Sequence, residues 1–399
     1  MFLIKMALRN VLRQRRRSIL TGLTIIVGFF LLSISIGLAE GSYSLIINLF
    51  TGDHTGHIQI HREDYRNRPS LYKTFSATEG DKLARFPFVQ SWAPRVYAPA
   101  LAFHNDKAIG IQIIGVDNVK EPQTTSFQRK ISSGNLTTTG VVVSFGMTRV
   151  LNLNIGDSLV LISQGADGSI ANDIFPVVGI IGSKTDTDTT MLCYLNITTA
   201  QQFLSLGDKI HEIAIMTNTY SKAPLYANIL RKDFKDPNLD IQPWQVVEKY
   251  FYDAMRADIK GMWISIVIIM IIVALGVLDT VLMSLLERTY EFGILKALGT
   301  RASTLFTLIM SEVSLLSILS IVAGSLISAI AHWWFTAYGI DLPEPIEFGG
   351  VQFTSYRSTI AFNTYWIPAV LTLITSLIVT LFPTIGVMRR APVKALRQF

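Results

Sequence analysis

The stretch ERTYEFGILKALGT, residues 287–300, is a short charged segment that separates two long apolar runs. The run before it is GMWISIVIIMIIVALGVLDTVLMSLL (261–286), and the run after it is ASTLFTLIMSEVSLLSILSIVAGSLISAIA (302–331). Each run exceeds the roughly 20 apolar residues that a helix needs to cross a bilayer. This alternation decides the fold class, because a chain that crosses a membrane twice must turn in water between the crossings. Residues 287–301 are therefore predicted to lie at one membrane surface.

Two further runs complete a set of four predicted transmembrane helices. SILTGLTIIVGFFLLSISIGLA (18–39) and FNTYWIPAVLTLITSLIVTLFPTIGVM (362–388) contain no charged residue. Half of all residues are hydrophobic and only 16% are charged, compared with roughly 25% in an average soluble protein. The composition therefore favours an α-helical membrane protein.

The basic residues at both ends of the chain predict its orientation. Basic flanks mark the cytoplasmic side, and an even number of spans returns the chain to that side. Residues 1–17 are predicted to form a basic amphipathic helix on the membrane surface, with a disordered basic tail as the alternative. The tail 389–399 is then cytoplasmic, and the loop 332–361 lies outside. Because the basic surplus is not a patch on a folded domain, nucleic-acid binding is not expected. The terminal basic residues are Lys5, Arg9, Arg13, Arg15, Arg16, Arg17, Arg389, Arg390, Lys394 and Arg397.

Residues 40–260, between the first two spans, form a large extracytoplasmic insert with mixed patterning. The stretches GHIQIH, AIGIQIIGV, GVVVS, DSLVLIS, FPVVGIIG and EIAIM predict strands. The stretches ATEGDKLARF, TTAQQFLSL and APLYANILRKDF predict helices. The insert is therefore predicted to be an α+β domain. EGSYSLIINLF (40–50) and WQVVEKYFYDAMRADIKGMW (244–263) should continue the adjoining spans outward as helical stalks.

No strong enzyme or metal motif occurs in the sequence. It contains no GxxxxGK followed by Ser or Thr, no GxSxG and no HExxH. His57 and His61 share a strand face, for which a solvated surface is favoured over a metal site. Asp186 and Asp188 resemble part of a calcium loop, but its glycine and final glutamate are missing, so a polar turn is favoured. Cys193 is the only cysteine and is expected to be a buried thiol. We predict no catalytic residue, cofactor or metal on this chain.

Residues 287–300 have the pattern of a short docking helix. Acids open the segment and bases close it, as the helix dipole favours, and Gly299 can end the helix. Glu287 and Glu291 are four residues apart and share one face. The segment also contains apolar residues that a solvated connector would leave without a partner: Phe292, Ile294, Leu295 and Leu298. A membrane-anchored enzyme or a sensor is the alternative class of protein, and a sensor would not need such a helix.

The stretch LGVLDTVLMSLLERTYEFGILKALGT (275–300) resembles the signature of the FtsX-like permeases. These are the membrane subunits of the ABC-transporter group that includes the macrolide exporter MacB and the lipoprotein-releasing permeases LolC and LolE. ALRNVLRQRRRSILTGLTIIVG (7–28) resembles their entry helix and first span, and FPTIGVMRRAPVKALR (382–397) resembles their closing pattern. Within the insert, LNLNIGDSLVLI (151–162) and TTAQQFL (198–204) are most similar to the lipoprotein-releasing branch.

The resemblance implies that residues 287–298 are a coupling helix, which rests on a separate ATPase subunit. Its acids would face that ATPase, and its apolar side would pack beneath the spans. ATP and Mg²⁺ would bind to the ATPase, and two permease copies, or one copy and a paralogue, would assemble in a bacterial inner membrane. The implied coupling residues are Glu287, Arg288, Glu291, Phe292, Ile294, Lys296, Leu298 and Gly299.

Two acids lie within the predicted spans. Glu312 falls where the third span of the family commonly has Glu. Asp279 stands where relatives often have Asn, and it could be protonated or hydrogen-bonded across a subunit interface. A mid-span carboxylate costs about 2.5–3.5 kcal/mol at the bilayer centre, but Asp279 lies about 12 Å from Glu287 at 1.5 Å per residue, so it is off-centre and its cost is lower.

The expected substrate is an acylated lipoprotein, held between two permease copies by uncharged faces of the first two spans. The predicted substrate-facing residues are Phe29, Phe30, Leu32, Ile266, Met270 and Val273, for which ordinary lipid contact is the alternative. The runner-up is MacB-like export of a drug, peptide or toxin with a periplasmic adaptor. Direct docking of a periplasmic chaperone is doubtful, because LISQGADGSIANDIFPVV (161–178) is shorter than the hairpin of the subunit that recruits it.

Overall fold

The computed structural model describes residues 6, 9–10, 13, 15–182, 191–348 and 351–388. The predicted turn at Asp186 and Asp188, much of the predicted helix 1–17 and the tail 389–399 lie outside the described residues. The chain forms two compact units. The membrane unit extends up to Leu45, includes Ala254–Ile346 and continues from Thr354, while Ile46–Asp253 and Glu347–Phe353 form the α+β domain.

Four helices of the described residues are long and apolar enough to cross a membrane. In the numbering given next, these four are α1, α8, α10 and α11. The α-helices are α1 (Arg15–Phe50), α2 (Lys120–Thr124), α3 (Phe127–Lys130), α4 (Phe145–Leu151), α5 (Ile197–Phe203), α6 (Ala223–Asp233), α7 (Trp244–Val247), α8 (Lys249–Glu287), α9 (Thr289–Ala297), α10 (Ala302–Ala337) and α11 (Phe362–Met388).

Each predicted span lies inside one of these long helices, so the prediction of four transmembrane helices is confirmed. The helices extend further than their apolar runs. α1 continues through the predicted stalk to Phe50 and is followed by a π-helical turn, Thr51–Thr55. The second stalk begins at Lys249 rather than at Trp244, because the short α7 is a separate helix.

The predicted outer loop 332–361 is more ordered than its sequence indicated. Its first residues belong to α10, which ends at Ala337. They are followed by a β-hairpin of β13 (Ile340–Phe348) and β14 (Val351–Tyr356).

The membrane unit packs through an apolar cluster and a seam of small residues. In the cluster, Ile25 of α1 and Val277 of α8 are fully buried, together with side chains of α9, α10 and α11. The seam joins α10 to α11, and the hydroxyls of Ser317 and Ser376 lie 2.9 Å apart there. Small side chains allow transmembrane helices to approach closely. The buried small and hydroxyl residues of α10 and α11 include Ser317, Ser320, Gly324, Ser328, Thr372, Thr375, Ser376, Thr380 and Thr384.

The α+β domain is built on one mixed sheet of ten strands in the order β12-β1-β11-β3-β4-β9-β6-β8-β5, and β7 pairs with both β3 and β8. The pairs β4–β9 and β6–β8 are parallel. The strands are β1 (Ile58–Arg62), β2 (Phe75–Ser76), β3 (Val89–His104), β4 (Lys107–Val116), β5 (Ile131–Gly134), β6 (Val141–Ser144), β7 (Ser158–Gln164), β8 (Ile170–Ile181), β9 (Leu192–Asn196), β10 (Lys209–Ile210), β11 (Glu212–Thr217) and β12 (Leu239–Pro243).

All six predicted strands of this domain are present, but the longest strand, β3, was missed. β3 contains Pro94 and Pro99, which count against a central strand because proline cannot donate to the ladder. The pairing explains both residues. Pro94 pairs with β11, and the pairing of β3 with β4 starts only at the next residue. Pro99 pairs with β4, and it lies between the part of β3 that pairs with β11 and the part that pairs with β7. Each proline thus lies where β3 has a strand neighbour on only one side.

Candidate functional site

The segment between α8 and α10 contains one short helix, α9, with a glycine at its end. Leu298 closes the helix, and Gly299 has a φ of +90°. The Gly299 amide donates to Lys296 O at 3.0 Å, and the Thr300 amide donates to Leu295 O at 3.0 Å. Because a left-handed residue favours glycine, Gly299 ends the coupling helix as its sequence position predicted.

Phe292 fixes one face of α9 to the membrane unit. Its side chain is only 2% exposed and lies in the apolar cluster that includes Ile25, Val281, Leu305 and Val387. These residues come from all four long helices. Phe292 is therefore part of a cluster to which every transmembrane helix of this unit contributes.

Arg288 and Glu312 form the polar anchor beside Phe292. Arg288 Nη1 donates to Glu312 Oε2 at 2.8 Å, and the two side chains are only 12% and 15% exposed. Asn10 Nδ2 donates to the other Glu312 oxygen. The Arg288 guanidinium also lies over the Phe292 ring, 5.1 Å from its centroid. Glu312 was predicted only as an acid within the third span, where the family commonly has Glu. The structure pairs it with Arg288, at the start of α9, which neutralises its charge.

Two further contacts attach the segment to other helices. Arg17 of α1 forms an ion pair with Glu287. Lys296 Nζ donates to the Met388 carbonyl oxygen at 2.6 Å, at the end of α11. Glu287 was predicted to face a partner protein, and its carboxylate also forms this ion pair within the chain. The first contact joins α1 to the last residue of α8, and the second joins α9 to the end of α11.

The other face of α9 is exposed. Tyr290, Ile294 and Leu298 recur every four residues and are 46%, 39% and 79% exposed. Leu295 is also exposed, and so is Glu291, which accepts a bond from Arg288 Nε at 3.3 Å. The prediction that the apolar side of this helix packs beneath the spans is therefore correct for Phe292 and wrong for the other apolar residues. Their side chains are left exposed by the part of the chain that the structure describes.

Asp279 lies on an exposed apolar stripe of α8. Leu275, Leu282 and Leu286 share this stripe and are 60%, 41% and 47% exposed. Asp279 is itself exposed and has no hydrogen-bond or ion-pair partner among the residues that the structure describes. Its carboxylate is therefore available to a partner outside the chain.

Most of the predicted substrate-facing residues are buried inside the chain. Phe29, Leu32, Ile266 and Val273 are at most 4% exposed, so their assignment to a substrate surface is wrong. They fill the contacts between helices; a Cβ added at Gly324 would lie 2.9 Å from the Phe29 ring. Phe30 and Met270 are half-buried. The exposed faces are instead formed by Leu23, Val27 and Leu31 of α1 and by Val267, Ile268, Ile271, Ile272 and Leu275 of α8.

A buried histidine, not predicted from the sequence, joins the outer parts of three helices. His332 of α10 is fully buried. Its Nε2 lies 2.9 Å from Ser33 Oγ, and its Nδ1 lies 2.7 Å from Ser358 Oγ. Ser33 Oγ donates to Thr364 O at 2.8 Å, so it must accept the hydrogen bond from Nε2–H of His332. This tautomer leaves Nδ1 to accept from Ser358. The ring therefore ties α10 to α1 and to the start of α11.

The α+β domain contains a buried charged network centred on Arg95. This side chain is fully buried and donates to Glu121 at 2.6 and 3.0 Å and to Glu212 at 2.7 Å. Burial opposes the charge of Arg95, but attraction to both carboxylates raises its pKa above the usual value. His54, in the π-helical turn after α1, accepts from Tyr97 Oη at 3.1 Å. Burial and then the Arg95 charge hold the pKa of His54 well below its usual value, so His54 is neutral.

His57 and His61 are buried, which overturns the prediction of a solvated strand face. They are 4% and 3% exposed. His57 Nδ1 accepts from the Thr217 amide at 3.1 Å, and burial lowers the pKa of His57 to about 4. His61 Nε2 lies 3.0 Å from Gln59 Oε1. Among the described residues, no three His, Cys, Asp or Glu side chains are arranged to hold a metal ion.

Comparison with protein families gives two matches that together cover most of the chain. The family model described as the MacB-like periplasmic core domain matches residues 18–231. The family model described as the FtsX-like permease C-terminal region matches residues 263–391. The second match includes α9 and its anchors on α10.

Curated relatives share the same order of regions at low identity. The chain is 23% identical over 359 residues to the macrolide export ATP-binding/permease protein MacB of Mannheimia succiniciproducens, covering 84% of this chain and 54% of that protein. It therefore spans about half the length of this relative. It is 18% identical over 385 residues to the lipoprotein-releasing system transmembrane protein LolC of Neisseria meningitidis, covering 92% of this chain and 89% of that protein. Among solved structures, the periplasmic region of MacB from Actinobacillus actinomycetemcomitans matches 52% of this chain and 97% of that chain, with a TM-score of 0.38 and 15% identity.

Proposed function

Because the chain belongs to the family of MacB-like and FtsX-like ABC-transporter permeases, we propose that it is a permease subunit driven by an ATPase on a separate chain. The observation that carries this proposal is the exposed face of Tyr290, Glu291, Ile294 and Leu298 on α9. An apolar and acidic face suits contact with a protein partner when the opposite face of the helix is fixed to the membrane unit. ATP and Mg²⁺ bind to that partner, and this chain performs no covalent chemistry.

The anchors of α9 support its role in transmitting motion. Phe292 contacts a cluster shared by all four long helices, and Arg288 is held by Glu312. A push on α9 is therefore passed to the spans rather than absorbed by a flexible connection. α1 and α8 contain 36 and 39 residues and extend about 54 and 58 Å at 1.5 Å per residue. Such long helices carry a displacement across the membrane.

The assembly that we propose contains two permease copies, or one copy and a paralogue, with two ATPases. It lies in a bacterial inner membrane, with the basic chain ends in the cytoplasm and the α+β domain in the periplasm. The exposed stripe of α8 is suited to contact a second permease. Asp279 on that stripe would then be hydrogen-bonded across the interface rather than exposed to lipid.

The preferred substrate is an acylated lipoprotein released from the inner membrane. The similarity to a lipoprotein-releasing permease over nearly the full length of both chains supports this choice. Exposed, uncharged faces on α1 and α8 offer contact area for acyl chains, in place of the buried residues that the sequence suggested. Extraction is expensive, because each methylene of an acyl chain gains about 0.8 kcal/mol from burial in the membrane. ATP hydrolysis by the partner supplies that free energy.

MacB-like export of a drug, peptide or toxin is the second candidate. It is favoured by the match of residues 18–231 to the MacB-like periplasmic core domain and by the 23% sequence identity to a MacB protein. In this case the α+β domains would act on a periplasmic substrate and contact an adaptor, instead of passing a lipoprotein to a chaperone.

The coupling role is tested with Glu291→Lys. We expect the variant to insert and fold, because Glu291 is exposed, but to lose stimulation of a co-purified ATPase. Like charges opposed at a docking surface are costly. Asp236→Lys, an equal charge change at an exposed site in the α+β domain, is the matched control. Normal ATPase recovery and normal turnover in Glu291→Lys would refute the docking role.

The substrate is tested by depletion of the permease followed by membrane fractionation. Lipoprotein release predicts that specific lipoproteins stay in the inner membrane. Export predicts normal lipoprotein sorting together with a defect in secretion or drug resistance. Normal sorting would therefore eliminate the preferred substrate and leave export.

A further inference from the structure

A groove between α1 and α10 adjoins the exposed face of α1, with which it shares Leu23. It has a volume of about 490 Å³, and its walls include Ile19 and Leu23 of α1 and Leu316 and Leu319 of α10. Ile19, Leu23 and Leu319 are 61%, 52% and 49% exposed. Both helices are transmembrane, so this open apolar groove faces lipid chains rather than water.

Small residues form the floor of the groove, and one end is closed. A Cβ added at Gly22 would lie 3.2 Å from Ser320 Oγ, so only a small residue permits this approach of the helices. Ser320 and Ala323 continue the floor along α10. Further along the helices, the buried Phe29 ring packs on Gly324. The helices are in close contact there, and the groove ends.

The open end of the groove carries an uncompensated positive charge. Arg15, the first residue of α1, lines this end. Arg15 and Arg16 are exposed and have no ion-pair partner in the described part of the chain, whereas Arg17 is paired with Glu287. A cation at the mouth of an apolar channel matches a molecule with an anionic head and an apolar chain.

We propose that this groove binds one anionic phospholipid of the cytoplasmic leaflet, with its phosphate at Arg15 and an acyl chain along the groove. The run from Ser18 to Ile26 on α1 is about 12 Å long at 1.5 Å per residue, which accommodates a substantial part of one chain. A zwitterionic lipid would fill the groove equally well, but it would bring no net charge to Arg15. The inference concerns binding and holds for either candidate substrate.

Photolabelling tests the site directly. The full-length chain is placed in phosphatidylcholine nanodiscs that contain a trace of phosphatidylglycerol carrying a diazirine in its acyl chain, or the matching phosphatidylcholine probe. After irradiation, we expect residues 19–26 and 316–323 to be labelled several-fold more by the phosphatidylglycerol probe. An excess of inorganic phosphate should not compete, because it lacks the chain.

Four variants separate the groove from general surface effects. Arg15→Gln should reduce phosphatidylglycerol labelling to the phosphatidylcholine level, whereas Arg16→Gln, beside the groove, should leave it within about twofold of wild type. Ser320→Leu should block both probes, whereas Ala329→Leu adds equal bulk at an exposed position of α10 and should not. Ala323→Leu replaces Ser320→Leu if gel filtration shows that the latter fails to fold.

Three results would overturn the proposal. Equal labelling by the two probes would remove the preference for an anionic head. Equal losses in Arg15→Gln and Arg16→Gln would indicate a general basic surface. Absent lipid labelling, with crosslinks from a photoreactive residue at Leu319 to a second copy, would show that another permease occupies the groove.

Discussion

Removing the charge of Glu312 should weaken the attachment of α9 to the membrane unit. Glu312→Gln retains the side-chain shape but leaves Arg288 with only Glu291, at 3.3 Å. An exposed ion pair contributes about 0–1 kcal/mol, and breaking a fully buried pair costs about 3–5 kcal/mol. Because Arg288 and Glu312 are 12% and 15% exposed, we expect a loss of about 2 kcal/mol. Part of that loss is the cost of the largely buried Arg288 cation, whose remaining carboxylate partner is the exposed Glu291.

Thermal unfolding of the purified chain in a single detergent measures this loss. A change of 1 kcal/mol shifts the midpoint by roughly 2–4 °C for a unit of 150–250 residues, so Glu312→Gln should lower it by about 4–8 °C. The double variant Arg288→Gln/Glu312→Gln should lose less than the sum of the single variants, because it removes both of the largely buried charges and leaves only the exposed Glu291 without its partner. The difference, about 1–2 kcal/mol, is the coupling energy of the pair.

Glu291→Gln is the matched control for this experiment. Its carboxylate is 57% exposed and binds the same guanidinium, so its loss should cost under about 1 kcal/mol. If the losses from Arg288→Gln and Glu312→Gln are strictly additive, the two side chains do not act as an anchor. An equal effect of Glu291→Gln and Glu312→Gln would also contradict the argument from burial.

Three further predictions concern separate parts of the chain. Gly299→Ala should lower the free energy of unfolding by about 1 kcal/mol, because an L-residue is strained at the φ of +90° that Gly299 adopts. The thermal unfolding midpoint should therefore fall, and an unchanged midpoint would contradict the prediction. Asp279→Asn should leave assembly and transport intact, since amide and carboxylate can both accept a hydrogen bond across an interface; lost transport with intact assembly would instead assign the ionised group a role. Burial lowers the pKa values of His57 and His211 to about 4, from 6.5. As the pH falls, these histidines are protonated in the unfolded chain before they are protonated in the folded chain. Their contribution to the free energy of unfolding is therefore full above about pH 6.5. It falls towards pH 4 by up to about 1.4 kcal/mol per pH unit for each histidine. His211→Gln should reduce the slope of the unfolding midpoint against pH, and an unchanged slope would contradict this assignment.

The four transmembrane helices could be predicted because lipid solvation is a local property of about 20 consecutive residues. Hydropathy could not predict where those helices end. α1 continues to Phe50 and α10 to Ala337 through less apolar residues, because their backbone hydrogen bonds do not depend on lipid. β3 was missed for a related reason: Pro94 and Pro99 are acceptable only because of gaps in the neighbouring strands, and pairing is not visible in a local pattern.

Residues 287–300 show the same difference between local and tertiary information for single residues. Their charge order, their glycine end and their resemblance to a family signature predicted a docking helix. The sequence could not show that Phe292 points into the helix cluster while Leu298 is 79% exposed, because both are apolar residues in one short helix. Burial depends on which side of α9 faces the other helices.

The sequence by itself determined the four spans, the α+β character of the insert, the position of the coupling segment and the family resemblance. All of these depend on residues that are close together in the chain. Only the tertiary structure decided that Glu312 binds Arg288 and Asn10, that His332 bonds Ser33 and Ser358, and that Phe29 is a packing residue. Asn10 and Glu312 are 302 positions apart. The partner of a polar side chain at such a separation is selected by how the helices pack, since an unpaired charge or hydroxyl among them would be costly.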